Sequence, residues 1–353
     1  MKIFITGATG FIGAWLVRHF AARGWTVCAA GRSDAPPALR ALATDYLRSD
    51  IRRPLPVREV DAVVHAAALT SDTATAAALQ AANVDGVRHV YEATRESPVF
   101  VYVSSSSVYT YHPEAHAESE MADYAALSPY GRSKRLAEDW LLRQDWSRRT
   151  LIVLRPRAVY GPGDRVLLPR LLQLVRGRGI FLPGDMRVLC SLTHVDNLCA
   201  AVFSAVAFAQ KRPGGVHVFN VADAAPYVLR EAVVGLLSGV YGRELAVTAL
   251  PLAPLRHLGQ VMEWLRLPGP FTRFGLAAAS QPCVLDTQGI ARVLGFIPEQ
   301  DLWRSIPSIG SWVNTIGLTA VRAASAYLPW HEAISSEPTL LENHHAKYHH
   351  PAP

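Results

Sequence analysis

The sequence predicts an α/β fold, a doubly wound parallel sheet followed by a smaller, mainly helical domain, and three observations predict it. Apolar strand-like runs alternate with helix-period stretches from Met1 to about residue 155. A glycine-rich turn joins the first run to the first helix. Beyond about residue 226 the alternation stops, and helices broken by prolines follow. Such alternation suits a parallel sheet, where a helix crossing one face returns each strand to the same edge.

"KIFIT" (2–6) is the first strand and "FIGAWLVRHFAARG" (11–24) the first helix. In that helix Ile12, Trp15, Leu16, His19 and Phe20 recur at spacings of three and four, one buried stripe with His19 at its boundary. "TVCAAG", "YLRSDI", "DAVVHAAA" and "VFVYVSS" read as the next strands, with a long Ala-rich helix before the last. Further strands are expected at 150–155, around 188–194 and at 216–221, so the sheet continues past an insertion near 165–187. The expected domains are therefore 1–164, completed by about 188–225, and a second unit of 165–187 and 226–316 over the carboxyl edge of the sheet. Residues 330–353, ending "ENHHAKYHHPAP" with four histidines, read as a polar tail.

A hydrophobic fraction of 50% against 18% charged residues excludes general disorder. The net charge of +6 is spread over many segments, which argues against a nucleic-acid partner. Cys28, Cys190, Cys199 and Cys283 show neither metal-like nor disulfide-like spacing, so no metal is expected. Met1 runs straight into a strand, leaving no room for a signal peptide, and the longest apolar runs are short of the ~18–20 residues that span a bilayer. A cytoplasmic protein is expected.

"TGATGFIG" (6–13) sets Gly7, Gly10 and Gly13 three apart between that first strand and that first helix. Glycines there permit a tight turn, close approach of backbone N–H groups to a pyrophosphate, and close helix packing. Thr9, Phe11 and Ile12 lie in the same turn. The second strand ends on Gly31 where a carboxylate would hold the ribose hydroxyl of NAD, and Arg32 and Ser33 follow. A guanidinium there suits a 2′-phosphate, so NADP(H) is favoured over NAD(H), although Arg32 also reads as a solvated surface residue.

"SPYGRSK" (128–134) places Tyr130 one helical turn before Lys134, in a chain with only four lysines. Ser128 and Pro129 make a helix start. Residues i and i+4 share a face, so the ammonium can lie near the phenol and lower its pKa, as a proton donor and acceptor requires. It can also hold ribose hydroxyls, which a planar guanidinium would not reproduce.

With these motifs, "SDI" (49–51), "HAAA" (65–68), "NVDG" (83–86), "VSSSSVY" (103–109) and "LRPRAVYGPGD" (154–164), the chain resembles the extended short-chain dehydrogenase/reductase family over about 200 residues. The resemblance implies a Rossmann dinucleotide-binding domain in which Asp50 and Ile51 border the adenine and Ala66 and Ala67 line the path of the diphosphate and ribose. Asn83 is then the asparagine of the fourth helix, and Pro156 and Val159 flank the nicotinamide. Similar enzymes carry a catalytic Ser or Thr four residues before the motif's tyrosine, which lands on Ser105 and leaves Ser106 as the alternative. Ser105, Tyr130 and Lys134 are the implied catalytic group.

Dehydratases of the family follow that residue with an acidic pair; here Ser106 and Ser107 stand in those places. Epimerases carry an arginine where "CSLTHVDN" (190–197) has Cys190. The "HVDN" form and "GPFTRFGL" (269–276) look instead like the 3β-hydroxysteroid dehydrogenase group, which includes sterol-4-carboxylate dehydrogenases and 2-alkyl-3-oxoalkanoate reductases. The implied reaction interconverts a secondary alcohol and a ketone on an apolar substrate. A nucleotide-sugar epimerase and a non-catalytic NADP-sensing protein are the alternatives. Leu252, Leu255, Leu258, Val261, Met262 and Leu265, flanked by Arg256, Arg266 and Arg273, read as core or as a lid over an apolar tail, with peripheral membrane contact in the second case. A homodimer is the expected assembly.

Overall fold

A computed structural model of the chain describes residues 1–71, 74–112, 114–264, 273–324, 328–331 and 334, the side chains of 261–264, 273 and 274 excepted. Six strands, β1 (Lys2–Thr6), β2 (Thr26–Gly31), β3 (Asp45–Arg48), β4 (Ala62–His65), β5 (Val99–Val103) and β6 (Thr150–Pro156), join β12 (Gly215–Val221) in one sheet. Its order is β12-β6-β5-β4-β1-β2-β3, and every pairing is parallel. Strand order reverses between β1 and β4, and such a switch opens a crevice at the carboxyl ends of the strands. The doubly wound fold read from the sequence is the fold observed.

Alternation along the strands divides the core. Ile3 and Ile5 face one layer with Leu16, Phe20 and Val202, while Phe4 faces the other with Phe100, Leu141 and Val153. Central strands read as continuous apolar runs because both faces are covered. All five residues of β5 and all seven of β6 are buried.

The segment around 188–194 departs from expectation. It holds two short strands, β10 (Leu189–Cys190) and β11 (Thr193–His194), neither in the main sheet. The edge of β6 is taken by β12, from Thr150↔Gly215 to Pro156↔Val221. The intervening Ser191 pairs elsewhere: its N–H donates to the Cys283 carbonyl (3.0 Å) and its hydroxyl accepts from Leu285 N–H (3.0 Å). β11 pairs with β7 (Val159–Tyr160), and β10 with β13 (Tyr227–Val228). A third small sheet joins β8 (Val175–Arg176), β9 (Gly179–Pro183) and β14 (Ala246–Leu250).

A second core lies among these strands and the helices Leu229–Tyr241 and Leu302–Ile316, with Leu172, Ile180, Leu237 and Trp312 buried in it. Asp223 fastens the two parts. Its carboxylate accepts from Tyr160 (2.7 Å), Tyr227 (3.0 Å), Asn197 (2.8 Å) and the backbone N–H of His194 (2.7 Å). Among the described residues no helix is long and apolar enough to cross a membrane. The tail beyond 334 and the "GPFTRFGL" motif up to Thr272 lie outside the described residues.

Candidate active site

The turn after β1 is built by absent side chains. Gly7 has φ +76°, and a Cβ there would lie 2.9 Å from the Ala67 backbone. A Cβ on Gly13 would lie 2.1 Å from the Gly7 carbonyl oxygen, so glycine lets the helix Phe11–Ala21 start directly against the turn. The N-cap of that helix is Gly10, and no side chain caps it. Its first N–H groups are left for a ligand, as an anion at a helix N-terminus requires. Thr6 braces the opposite wall: its hydroxyl bonds the His65 ring (2.8 Å) and accepts from Ala67 N–H (3.2 Å).

Gly7, Thr9, Gly10, Arg32, Ser33, Asp50, Ile51, Ala66 and Ala67 line one cleft of about 260 Å³. Sequence reading thus names residues that the fold brings together from four strand ends. Gly13 is buried behind the turn. The Asp50 carboxylate is gripped by the Arg52 guanidinium (2.6 Å), which holds its pKa below the usual range. Glycines that forbid a Cβ, an uncapped helix start and flanking arginines fit a dinucleotide phosphate.

An adjoining cavity of about 560 Å³ is lined by Phe11, Ile12, Ser105, Tyr130, Pro156 and Val159. Its serines are not equivalent. Ser104 is buried and donates to Glu138, which pairs with buried Arg155 (2.6 Å). Ser106 is buried as well. The half-buried Ser105 accepts from Ser107 N–H (3.1 Å) and donates to the Ser107 hydroxyl (3.0 Å); all four serines line the cavity.

The helix Pro129–Leu142 starts as its sequence requires, the Ser128 hydroxyl accepting from Gly131 N–H (3.0 Å). Gly131 lets it touch the serine turn, since a Cβ there would lie 2.2 Å from the Ser107 carbonyl oxygen. Lys134 lies one turn beyond Tyr130, buried, donating to the Val103 carbonyl (2.7 Å) with its nitrogen 4.2 Å from the centre of the Tyr102 ring. Burial lowers its pKa to about 7. Asn83, also buried, accepts from Leu69 N–H (2.7 Å) and donates to the Ser133 hydroxyl (2.8 Å), tying the wall of the cofactor cleft to the Tyr130 helix.

A chamber of about 680 Å³ shares Arg157, Ala158, Leu167, Arg170 and Ala278 with the cavity that holds Tyr130. Its deeper lining is apolar, with Leu171, Met186, Val233 and Leu236. Cys190 lies in it, its thiol kept neutral by burial, which pushes the pKa up to about 11. Arg157 and Arg170 stand at the junction, and the Arg157 Nε is buried without a hydrogen-bond partner. Among the described residues the helix Leu252–Trp264 contributes nothing to this lining. Leu255 of its stripe is buried, Leu258 is 47% exposed, and Leu252 sits against Gly184. Leu265 and Arg266, with the side chains of Val261, Met262 and Arg273, lie outside the described residues.

Three arginines escaped the sequence reading: Arg157 and Arg170 at the junction, and Arg165 on the wall of the cofactor cleft. Position was the one available signal. Arg157 lies inside "LRPRAVYGPGD" and Arg165 directly follows it.

The profile of the NAD dependent epimerase/dehydratase family matches residues 3–222. A 2-alkyl-3-oxoalkanoate reductase of Stenotrophomonas maltophilia is 31% identical over 318 residues, covering 85% of this chain and 95% of that protein. A 4-hydroxy-2-methyl-3-oxo-4-farnesyl-3,4-dihydroquinoline-1-oxide ketoreductase of Stigmatella aurantiaca is 30% identical, covering 84% and 92%. Among solved structures, MoeE5 in complex with UDP-glucose and NAD superposes with a TM-score of 0.71 at 23% identity, covering 89% of this chain and 99% of that one, a likeness of fold.

Proposed function

Because the chain belongs to the NAD dependent epimerase/dehydratase family and is an NAD(P)-dependent oxidoreductase, we propose that it interconverts the 3-oxo and 3-hydroxy forms of an acid bearing long apolar chains, with NADP(H) preferred. One observation carries this reading: the cavity holding Ser105 and Tyr130 opens into an apolar chamber, with Arg157 and Arg170 at the junction. In such an acid the carboxylate lies two bonds from the ketone carbon. A site for it must therefore offer a cation beside the catalytic hydroxyls and apolar volume beyond, and this site offers both. A sterol without a carboxylate has no use for the two guanidiniums. Cys190 stands where sugar-nucleotide enzymes keep an arginine, and Ser106 and Ser107 where dehydratases keep acids.

Gly7, Gly10 and the uncapped helix start would hold the cofactor's diphosphate, Arg32, Ser33, Asp50 and Ile51 would border its adenosine, and Ala66 and Ala67 would line its ribose path. Pro156 and Val159 shape the nicotinamide end. When bound, the nicotinamide supplies or accepts a hydride at the substrate carbon. Ser105 holds the substrate oxygen, and Tyr130 passes the proton to or from it. Lys134 anchors ribose hydroxyls and, as an ammonium, favours the phenolate of Tyr130. Asn83 keeps the Tyr130 helix in place through Ser133.

NADPH oxidation by the purified protein with 2-alkyl-3-oxo acids, their methyl esters, sterols and UDP-sugars tests the assignment. Turnover of the acids and loss of it with the esters is expected, since an ester cannot pair with a guanidinium as a carboxylate does. Turnover of a UDP-sugar or a sterol with none of the acids would overturn it.

A further inference from the structure

We propose that Arg165 is a second cationic arm of the cofactor cleft, acting with Arg32 to hold a phosphate of the dinucleotide; this rests on the reading that a nicotinamide dinucleotide occupies the cleft. Arg32 follows β2 and Arg165 follows the Gly161–Asp164 turn after β7, yet both line the same cleft of about 260 Å³. Asp50 is the one carboxylate on its described lining, and Arg52 already grips it.

Local structure aims the side chain. The Asp164 carboxylate is turned away, accepting from the backbone N–H groups of Val166 (2.7 Å), Leu167 (3.0 Å) and Leu168 (2.7 Å), and so fixes the backbone on either side of Arg165. The Arg165 Nε donates to the Ala324 carbonyl (3.2 Å), which leaves the terminal nitrogens for another partner. The chain beyond Ala324 returns to the glycine turn, where the Trp330 indole donates to the Ala8 carbonyl (2.8 Å). Burial first, and the nearby charge of Arg32 second, lower the pKa of Arg165. Two guanidiniums that repel one another across a cleft are what an oxyanion between them relieves.

The phosphate is either the 2′-phosphate of the adenosine ribose or the diphosphate, and two cofactors separate them. NADPH and NADH are titrated by fluorescence into the wild type and into Arg165→Met, Arg165→Lys and Arg32→Ala. Arg165→Met is expected to weaken NADPH about tenfold, the worth of a charge-assisted contact, and Arg165→Lys to weaken it less. Loss confined to NADPH in both Arg165→Met and Arg32→Ala places the pair on the 2′-phosphate, and equal loss for NADH in both places it on the diphosphate; either supports the arm, whereas a loss confined to NADPH in one variant and shared by NADH in the other overturns the paired arm. Unchanged affinity for both nucleotides in Arg165→Met overturns the arm and leaves the dinucleotide reading standing. Equal losses in the Met and Lys variants with lowered melting also overturn it, since the Ala324 anchor is then the cause. A wild type that binds neither nucleotide overturns the cofactor reading itself, and the arm with it.

Discussion

Lys134 is 2% exposed, with its nitrogen 2.7 Å from the Val103 carbonyl, and burial draws its pKa from 10.5 down to about 7. In the unfolded chain the amine keeps its proton up to about pH 10.5, so between the two values the unfolded state binds a proton that the folded state does not. Stability from this group therefore rises with pH across that window. Lys134→Met removes the term. In the cofactor-free protein, the stability of the Met variant relative to wild type should be greater at about pH 6.5 than at about pH 9.5, measured by urea unfolding. A gap that is flat or widens with pH would show that burial does not destabilise the ammonium. Tyr130 has a separate test. Tyr130→Phe removes only the hydroxyl, so turnover should fall about 100-fold or more, the worth of a positioned proton donor, while NADPH affinity stays within twofold. Near-normal turnover would remove Tyr130 from the mechanism.

At the scale of elements, sequence legibility followed the range of the interaction. The turn "TGATGFIG" and the start "SPYGRSK" were readable because each carries a local signal: the positive φ of Gly7, a Gly13 whose Cβ would meet the Gly7 carbonyl six residues back, and Ser-Pro before a helix. β5 and β6 were readable because burial on both faces forces continuous apolar runs. β9 and β14 were not, since their pairing joins residues 67 apart, Gly179 with Ala246, and neither run is patterned for a buried sheet. The segment around 188–194 misled because Cys190 and Leu192 are buried in the second core while Ser191 bonds to Cys283 through its backbone N–H and to Leu285 through its hydroxyl. Contact between the Tyr130 helix and the serine turn was likewise invisible, and Gly131 tests it. In an unpacked helix Gly→Ala stabilises by about 1 kcal/mol. Here the new Cβ meets the Ser107 carbonyl, so Gly131→Ala should lower the melting temperature and should reduce turnover further than lost stability explains, because Ser105 and Tyr130 are pushed apart. Higher melting with full activity would mean that the two elements do not touch.

Across the whole molecule, the active-site wall is assembled from both cores. The sheet supplies the glycine turn, the serine turn and the Tyr130 helix, while the second core supplies Met186, Val233 and Leu236. Asp223 and its four donors hold these parts together, so the chamber is set at a fixed distance from Ser105 and Tyr130. That arrangement makes substrate length the measurable consequence. Each methylene added to an acyl chain that enters the chamber gains about 0.8 kcal/mol, or roughly a fourfold rise in kcat/KM, until the apolar volume is filled. Ala278 lies on both the cavity of Tyr130 and the chamber, and is half-buried. Ala278→Phe should therefore leave the shortest 3-oxo acids nearly untouched, shift the plateau to shorter chains and reduce kcat/KM for the longest by 10-fold or more. A uniform loss at every length would mean that Ala278 acts on the reacting end. A flat response to length in the wild type would show that the chamber does not receive the acyl chain.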